Sequence, residues 1–451
     1  MTTQKVPPQA WVVTFAGTAI NLCLGILYAW NVWKNSLIGS DLHPPGSKMT
    51  ELNEGWIYLT RAEGTWAYSI CGFVFALSMI AGGRIQDRYG PKIGATSGGL
   101  FLAAGCILAG LMKSYTGLIL GFGILGGVGM GLAYAATTPA AVKWFGPHQR
   151  GLIVGLVVGG YGGAAIYISP LARYLIDGYG ISGSFIGLGI FFAVVVVIAG
   201  QLLKWPDAGY VPPSPPVANA PGSSGKTQMT GVDWPAPAML QTVQFYALVI
   251  LFFGSAQSGL LVIGNATRML GDTTRSALLD ATTATATVVF LASNAWILSS
   301  YGGLVNAVGR VGTGMYSDKI GRTNAYLANG VVSALCLLLT PWIMRSGNVY
   351  LLFAVVGIAY WQYGGGLALL PAFTADYFGS KNLGFNYGLV FIGWGLAFGT
   401  PQVAGYIEDL DEGRLDYAFY LSGGLLIAAV IVCLITRRPI AAGEGAITPR
   451  A

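Results

Sequence analysis

The sequence predicts an all-α polytopic membrane protein with twelve transmembrane helices in two six-helix pseudo-repeats. Three observations indicate this class: a scarcity of charge, many long apolar runs, and a glycine-rich motif that occurs once in each half of the chain. Only 9% of the 451 residues are charged and 54% are apolar, whereas soluble domains carry about 25% charged residues. So few charged residues cannot cover the surface of a water-soluble protein of 451 residues. The soluble classes of protein are therefore excluded.

Apolar runs of about 20 residues are long enough to cross the hydrocarbon core of a bilayer. Twelve such runs are predicted spans: residues 10–33, 64–83, 93–112, 116–140, 151–176, 183–203, 243–269, 293–316, 323–344, 348–374, 384–407 and 416–436. The first is interpreted as a permanent span, because no small-residue cleavage site followed by polar sequence comes after it. The segment 271–292 is either an outer loop with helical turns or an extension of the eighth span.

The distribution of basic residues predicts the orientation of the chain. With the N-terminus in the cytoplasm, fourteen Lys and Arg fall in cytoplasmic segments and nine in outer segments, while six acidic residues lie inside and twelve outside. This is the inside-positive bias of membrane proteins. Both termini are therefore expected in the cytoplasm, and the compact loops are typical of a prokaryotic inner (plasma) membrane protein.

A segment rich in Pro, Ser and Gly separates the sixth span from the seventh. Such a composition behaves as a linker. It predicts an N-terminal half over residues 1–205, a cytoplasmic linker over 206–237 and a C-terminal half over 238–451.

The remaining composition argues against other classes of protein. The five cysteines lie in apolar runs without Cys-x-x-Cys spacing, and the two histidines are isolated, so neither a metal site nor a nucleophilic triad is predicted. The net charge of +6 comes without a soluble basic surface that could bind nucleic acid. We therefore expect no enzyme activity, no cofactor and no nucleic-acid partner.

A charged glycine motif recurs at the matching place in each half. The loop after the second span reads GRIQDRYGPK from Gly83, and the loop after the eighth span reads GMYSDKIGR from Gly314. In both, a Gly four residues before Asp is expected to allow close helix packing, and the recurrence indicates an internal duplication. Gating and structural roles are predicted for Gly83, Asp87, Arg88, Gly314, Asp318, Lys319 and Arg322. The alternative is that these residues are only inside-positive anchors.

The motif, the twelve spans and the central linker together resemble the major facilitator superfamily over nearly the whole chain. That resemblance implies a monomeric carrier that works by alternating access. The first span from Ala19 to Trp30, the isolated Arg310 and the triplet Asn386-Tyr387-Gly388 resemble the oxalate/formate antiporter branch, which is related to the monocarboxylate transporters.

Arg310 is the one charged residue predicted near the middle of a span. It precedes Asp318 by eight residues, about 12 Å of helix, which places it near the midplane of a core about 30 Å thick. Inserting Arg there costs about 2.5–3.5 kcal/mol, yet no acid lies at the middle of another predicted span. The planar guanidinium group can donate two parallel hydrogen bonds to a carboxylate, so Arg310 is suited to bind the carboxylate of a substrate. The alternative is that Arg310 pairs with backbone carbonyls or is displaced toward the Asp318 network.

Further candidate site residues surround Arg310. Ser299, Gly303 and Asn306 share its helix face, so Asn306 is expected to orient the guanidinium or bind substrate, a purely interhelical bond being the alternative. The antiporter resemblance implies substrate-facing aromatic residues at three positions: Tyr28, Tyr134 and Tyr363, the last where those relatives have Trp. Core packing is the alternative role for each of them.

Departures from the resemblance narrow the predicted substrate. The oxalate transporter of this branch has a Lys in the eleventh span where this chain has Trp394, which is itself a candidate substrate-binding residue. One Arg balances one carboxylate. A monocarboxylate of the lactate, pyruvate or formate class is therefore predicted, with or without a coupled proton. Animal monocarboxylate transporters have an Asp where Asn306 stands, which puts proton symport in doubt. The alternatives are an oxalate or dicarboxylate exchanger and a non-transporting membrane sensor.

Overall fold

The predicted apolar runs are helical, as expected where backbone groups in lipid must be hydrogen-bonded within their own segment. The computed structural model describes residues 6–40, 42–145, 150–207, 209–212, 233–279, 284–379, 382–410 and 414–439. The only β-structure in these ranges is a pair of isolated β-bridges in the first loop.

The helices before residue 203 form the N-terminal set. Its first span has three segments: α1 (Pro8–Leu24), a 3₁₀ turn (Gly25–Ala29) and α2 (Trp30–Leu37). The next spans are α3 (Arg61–Tyr89), α4 (Pro91–Met112), and a composite of α5 (Tyr115–Gly117), a π-helical stretch (Leu118–Gly126) and α6 (Gly127–Val142). The set ends with α7 (Arg150–Gly163) and α8 (Ala165–Leu202).

Helices α7 and α8 contain two crossings rather than one. Their apolar stretch of 51 residues would be about 76 Å long as a straight helix, more than twice the thickness of the hydrocarbon core. Gly180 interrupts α8 with φ 73°, a backbone conformation that favours glycine. The next amide, of Ile181, donates a hydrogen bond to Asn53 Oδ1 in the first loop (2.7 Å). The chain therefore reverses at the face that holds the first loop.

The helices after residue 235 form the C-terminal set. They are α9 (Ala236–Met239), α10 (Val243–Leu278), α11 (Ala286–Ser293), α12 (Ile297–Ile320), α13 (Arg322–Arg345), α14 (Val349–Phe378), α15 (Leu383–Val390), α16 (Ile392–Leu396), a 3₁₀ turn (Ala397–Gly399), α17 (Thr400–Leu410) and α18 (Asp416–Ile435). The eleventh span is thus a succession of short segments from α15 to α17.

The predicted fold class is confirmed, with corrections to its boundaries. Nine helices of the described chain are long and apolar enough to cross a membrane, or ten with the bent pair of α11 and α12. The reversal at Gly180 and the segmented eleventh span bring the crossings in the described ranges to twelve. The seventh span ends at Leu278 instead of residue 269. Part of 271–292 therefore extends that span, residues 280–283 lie outside the described ranges, and α11 meets α12 at 87°.

The repeated motif was predicted as a loop, and this was wrong for most of its length. Residues 83–89 form the end of α3 and residues 314–320 the end of α12, so the turns reduce to Gly90 and Gly321. These two glycines have φ 88° and φ 89°, where L side chains are strained. The same glycine of both copies therefore makes the same sharp junction between two spans.

A central seam separates the two sets. Along it α7 packs on α12, α3 packs on α15 and α16, and α2 packs on α10. Of the predicted linker 206–237, residue 208 and residues 213–232 lie outside the described ranges.

Candidate functional site

Arg310 lies on the seam with 3% of its surface exposed. Each guanidinium nitrogen donates one hydrogen bond: Nε to Asn306 Oδ1 (3.1 Å), Nη1 to the Val158 carbonyl (3.0 Å) and Nη2 to the Tyr28 hydroxyl (3.3 Å). These partners are neutral, and within the described part of the chain no carboxylate forms an ion pair with Arg310. Pairing with backbone carbonyls was the alternative role predicted for Arg310, and one of the three contacts, that to Val158, is of this kind. The guanidinium charge is therefore not compensated by any described anion.

Asn306 contacts Arg310 from one helical turn away and has an unused donor. Its Oδ1 accepts from Arg310, whereas its Nδ2 is buried and has no hydrogen-bond partner in the described ranges. Asn306 shares a helix face with Gly303 and Ser299, and this face points across the seam. At Gly303 the helix approaches α8 of the N-terminal set so closely that an added Cβ would lie 3.0 Å from the Ala165 Cβ. Because an unpaired buried donor is costly, Asn306 Nδ2 is suited to a ligand oxygen.

Three aromatic candidates form a hydrogen-bonded chain that ends on the guanidinium. Trp394 Nε1 donates to the Tyr363 hydroxyl (2.9 Å), and the hydroxyls of Tyr363 and Tyr28 are 2.7 Å apart. All three side chains are buried to 1% exposure. Tyr28 and Tyr363 therefore contact the site through their hydroxyls, and the indole of Trp394 already has an acceptor.

Tyr134 lies beside this chain, within an aromatic enclosure. Its hydroxyl is close enough to Arg310 to interact with the guanidinium electrostatically. Its ring centroid lies 5.4 Å from that of Phe75 and 5.5 Å from that of Tyr161, and Phe75 in turn meets Trp394 edge-on at 5.0 Å. Packed rings of this kind exclude water while their hydroxyls remain available as donors.

Several contributors to the site were not predicted. Tyr161 and Phe75 complete the enclosure, and Gly162 allows α7 to approach closely, because a Cβ there would lie 3.0 Å from Arg310 Nε. The run of four glycines around Tyr161 in the fifth span was a usable signal, since glycines in spans mark close helix contacts. Val158 contributes only a carbonyl, which no sequence pattern indicates.

Contacts between the two sets enclose the site from both ends. Toward the first loop, Asn31 Nδ2 donates to the Ile263 carbonyl (2.9 Å). Toward the opposite face, the Arg84 guanidinium carbon lies 4.6 Å from the centre of the Phe385 ring. Each end of the seam is therefore bridged by a contact between the two sets of helices.

The second copy of the motif forms an ion network away from Arg310. Arg322 Nη2 lies 2.6 Å from Asp318 Oδ1, Arg322 Nε lies 3.6 Å from Asp376 Oδ2, and Arg322 also donates to the Ser317 hydroxyl. The network joins α12, α13 and α14. Asp376 was not predicted as a member, and Lys319 is exposed.

The first copy of the motif differs in its contacts. Arg88 lies 5.3 Å from the centre of the adjacent Tyr89 ring, and the side chain of Asp87 lies outside the described residues. Close packing at the first glycine of each copy was predicted, and this was wrong. A Cβ at Gly83 or Gly314 would meet no described atom within 4 Å. The glycines that the backbone requires are Gly90 and Gly321, and they are required for their positive φ rather than for close packing.

The residues that the structure describes contain no candidate metal site. They contain no group of three or more His, Cys, Asp or Glu side chains arranged to hold an ion. His43 stacks on Tyr58 with ring centroids 5.1 Å apart, and His148 lies outside the described ranges.

Comparisons with known proteins agree with the resemblance found in the sequence. A family model described as Major Facilitator Superfamily matches residues 11–296. The oxalate:formate antiporter of Oxalobacter formigenes is 28% identical over 368 residues, 81% of this chain and 76% of the antiporter. Apicoplast pyruvate carrier 1 of Toxoplasma gondii is 22% identical over 470 residues (86% and 83%), and monocarboxylate transporter 12 of Xenopus laevis is 24% identical over 382 residues (82% and 79%). The predicted superfamily is confirmed, and the relatives include an oxalate:formate antiporter and a monocarboxylate transporter.

Proposed function

This chain belongs to the Major Facilitator Superfamily of multi-pass membrane transporters, and we propose that it moves a small monocarboxylate of the lactate, pyruvate or formate class across the membrane. The observation that supports this substrate most directly is Arg310, a buried cation whose three hydrogen-bond acceptors are all neutral. One guanidinium balances one carboxylate, and its planar fork matches the two carboxylate oxygens. The relatives named for oxalate, formate, pyruvate and monocarboxylate transport support the same class.

The substrate carboxylate binds by displacing neutral partners of Arg310. Charge-assisted bonds to a carboxylate are stronger than bonds to a carbonyl or a phenol oxygen, so the contacts to Val158 and Tyr28 are exchanged for the ligand. Asn306 Nδ2, which has no described partner, donates to the same ligand. The hydroxyl of Tyr134 supplies a further donor.

A dianion fits this site less well. By its resemblance to the oxalate transporter of the branch, this chain has Trp394 where that carrier has a second base, and the one N–H of Trp394 donates to Tyr363. A second carboxylate would therefore be buried without a cation, which is costly.

Transport proceeds by alternating access between two halves, residues 1–205 and 238–451, joined by the linker 206–237. The Arg310 contact to Val158 crosses the seam, so exchanging it for substrate changes an interaction between the halves. The contact of Asn31 with Ile263 breaks when the outer face opens, and that of Arg84 with Phe385 breaks when the cytoplasmic face opens. The network of Arg322, Asp318 and Asp376 stabilises the cytoplasmic face.

The proposal also includes the cellular setting. The carrier acts as a monomer in a prokaryotic inner membrane, with both termini in the cytoplasm. Asn306 cannot transfer a proton, so a coupled proton travels on the substrate carboxyl or the carrier exchanges one carboxylate for another.

Uptake of a labelled carboxylate panel into proteoliposomes tests the proposal. Lactate, pyruvate, formate and oxalate are compared with and without a pH gradient and with or without internal counter-substrate. Saturable uptake of a monocarboxylate, with oxalate weaker, is expected. A preference for oxalate indicates the dicarboxylate exchanger instead, and an absence of transport across the panel contradicts the proposed substrate class.

A further inference from the structure

A second basic site lies at the outer end of the seam, apart from Arg310. A cavity of about 710 Å³ opens between the end of α2, the start of α3 and the end of α10. Its described lining contains four basic side chains and one acidic side chain: Lys34, Arg61, Arg268, Arg275 and Asp272.

The one acid in this lining is shared by two arginines. Asp272 Oδ2 lies 3.3 Å from Arg268 Nε, and Asp272 Oδ1 lies 3.6 Å from Arg275 Nη1. Lys34 forms no ion pair or hydrogen bond within the described residues, and its charged neighbours are Arg61 and Arg268. Cations gathered in a partly enclosed cleft concentrate anions from solution. Lys34 therefore lies at the centre of a basic cavity that attracts anions.

The cavity is connected to the central site along the first span. Tyr28, Asn31 and Lys34 follow one another at intervals of three residues, and the six residue steps from Tyr28 to Lys34 correspond to roughly 9 Å of helix. Between the two sites, Asn31 Nδ2 donates to the Ile263 carbonyl (2.9 Å) and to the Ser299 hydroxyl (3.3 Å). The Asn31 amide thus separates the outer cavity from the residues around Arg310.

We propose that the outer cavity is a collecting site for the transported anion, where a small carboxylate pairs with Lys34 before it passes Asn31 to reach Arg310. The identity of the anion rests on the proposed function. The cavity is larger than a three-carbon carboxylate, so the anion retains part of its hydration and exchanges rapidly. The buried hydroxyl of Thr267, which lines the cavity and has no described partner, is an additional donor.

Reaction rates of an introduced thiol test the cavity without requiring transport. Asn35→Cys places a thiol in the exposed lining, whereas all five native cysteines are buried. We expect a negatively charged methanethiosulfonate to react faster, relative to a positively charged one, at Asn35→Cys than at Leu42→Cys. Leu42 is 87% exposed in the same outer loop but is not part of the lining. Adding Lys34→Gln should lower the anion-to-cation rate ratio by roughly 3–10-fold.

Transport kinetics test the delivery of substrate. Lys34→Gln should raise KM for uptake from the outer face by roughly 3–10-fold, keep kcat within about twofold, and weaken the rise of KM with salt, because salt screens attraction to a charged cavity. Lys48→Gln, which removes an exposed charge outside the lining, should change neither value. An unchanged KM and an unchanged reagent ratio in Lys34→Gln would overturn the collecting site while leaving the role of Arg310 intact.

Two further outcomes separate this inference from its rivals. If the reagent ratio responds as expected but no carboxylate of the panel is transported, the proposed function fails and the assignment of a carboxylate fails with it. In vesicles of phosphatidylcholine alone, the effects of Lys34→Gln on KM and on the reagent ratio should persist. Their appearance only with anionic lipid would show that the cavity binds a lipid headgroup and would overturn the proposal.

Discussion

The hydroxyl oxygens of Tyr28 and Tyr363 lie 2.7 Å apart across the seam between the two sets of helices. Tyr28 also accepts a hydrogen bond from Arg310, and Tyr363 accepts one from Trp394. The first, eighth, tenth and eleventh spans are therefore joined by one continuous chain of hydrogen bonds. A ligand that displaces Tyr28 from the guanidinium alters contacts in both sets at once.

Arg310→Gln should lower uptake by about 100-fold, since removing one partner of a desolvated charge pair costs about 2–5 kcal/mol. Arg310→Lys should also fail, because an ammonium cannot present the planar fork. Initial uptake rates in proteoliposomes measure the effect, and thermal unfolding in detergent verifies that the variants are folded. Undiminished transport of the whole carboxylate panel by either variant would show that Arg310 is not the binding site.

Tyr363→Phe should weaken substrate binding by roughly 5–30-fold. It keeps the ring but removes two buried hydrogen bonds, worth about 1 kcal/mol each, and leaves Trp394 Nε1 without its acceptor. Tyr326→Phe is the matched control, because its hydroxyl donates to the Leu251 carbonyl in another part of the C-terminal set. Equal effects of both changes on KM would indicate a general loss of packing rather than a role at the site.

Gly162→Ala should reduce transport by about tenfold or more while the protein still folds. The added Cβ would lie 3.0 Å from Arg310 Nε and 3.3 Å from Asn306 Cγ, so the guanidinium must shift, and small displacements of binding groups have large kinetic effects. Gly159→Ala on the same helix meets no described atom within 4 Å and should be nearly neutral. The prediction is contradicted if the two alanines behave alike in uptake.

Asn306→Asp should make transport depend on pH. The new carboxylate would lie about where Oδ1 is now, 3.1 Å from Arg310 Nε, and would compete with the substrate for the guanidinium. Protonation removes that competitor, so uptake should rise as pH falls, more steeply than in the wild type. Asn329→Asp, at a part-buried amide that bonds Tyr316 instead, should leave the pH profile unchanged. A flat profile in Asn306→Asp would contradict the proposed competition.

Arg322→Gln should destabilise the protein by about 1–3 kcal/mol, because it leaves the largely buried Asp376 without its cation. Adding Asp376→Asn should recover part of the loss, as expected when two residues act through one interaction. Lys319→Gln removes an exposed neighbouring charge and should have little effect. Melting temperatures of the wild type, Arg322→Gln, Asp376→Asn, the double variant and Lys319→Gln in one detergent check this. Losses of the two single variants that simply add in the double variant would exclude a direct pairing.

Hydropathy and charge spacing were sufficient to predict the spans and the repeated motif. These are properties of consecutive residues, and the bilayer imposes one length on every crossing. The same patterns misplaced the end of the seventh span and treated the ends of α3 and α12 as loops. Polar and glycine residues there suggested irregular structure, although helix continues to Gly90 and Gly321.

The partners of Arg310 depended on packing between distant segments. The Val158 carbonyl lies 152 residues away in the chain, and the bond from Trp394 to Tyr363 requires two helices to meet at one depth. The basic cavity around Lys34 likewise forms only where α2 and α10 lie side by side. A span buried among other helices has no solvent-facing side to impose a pattern, so the sequence indicates where a charge enters the membrane, whereas helix packing selects the groups that surround it.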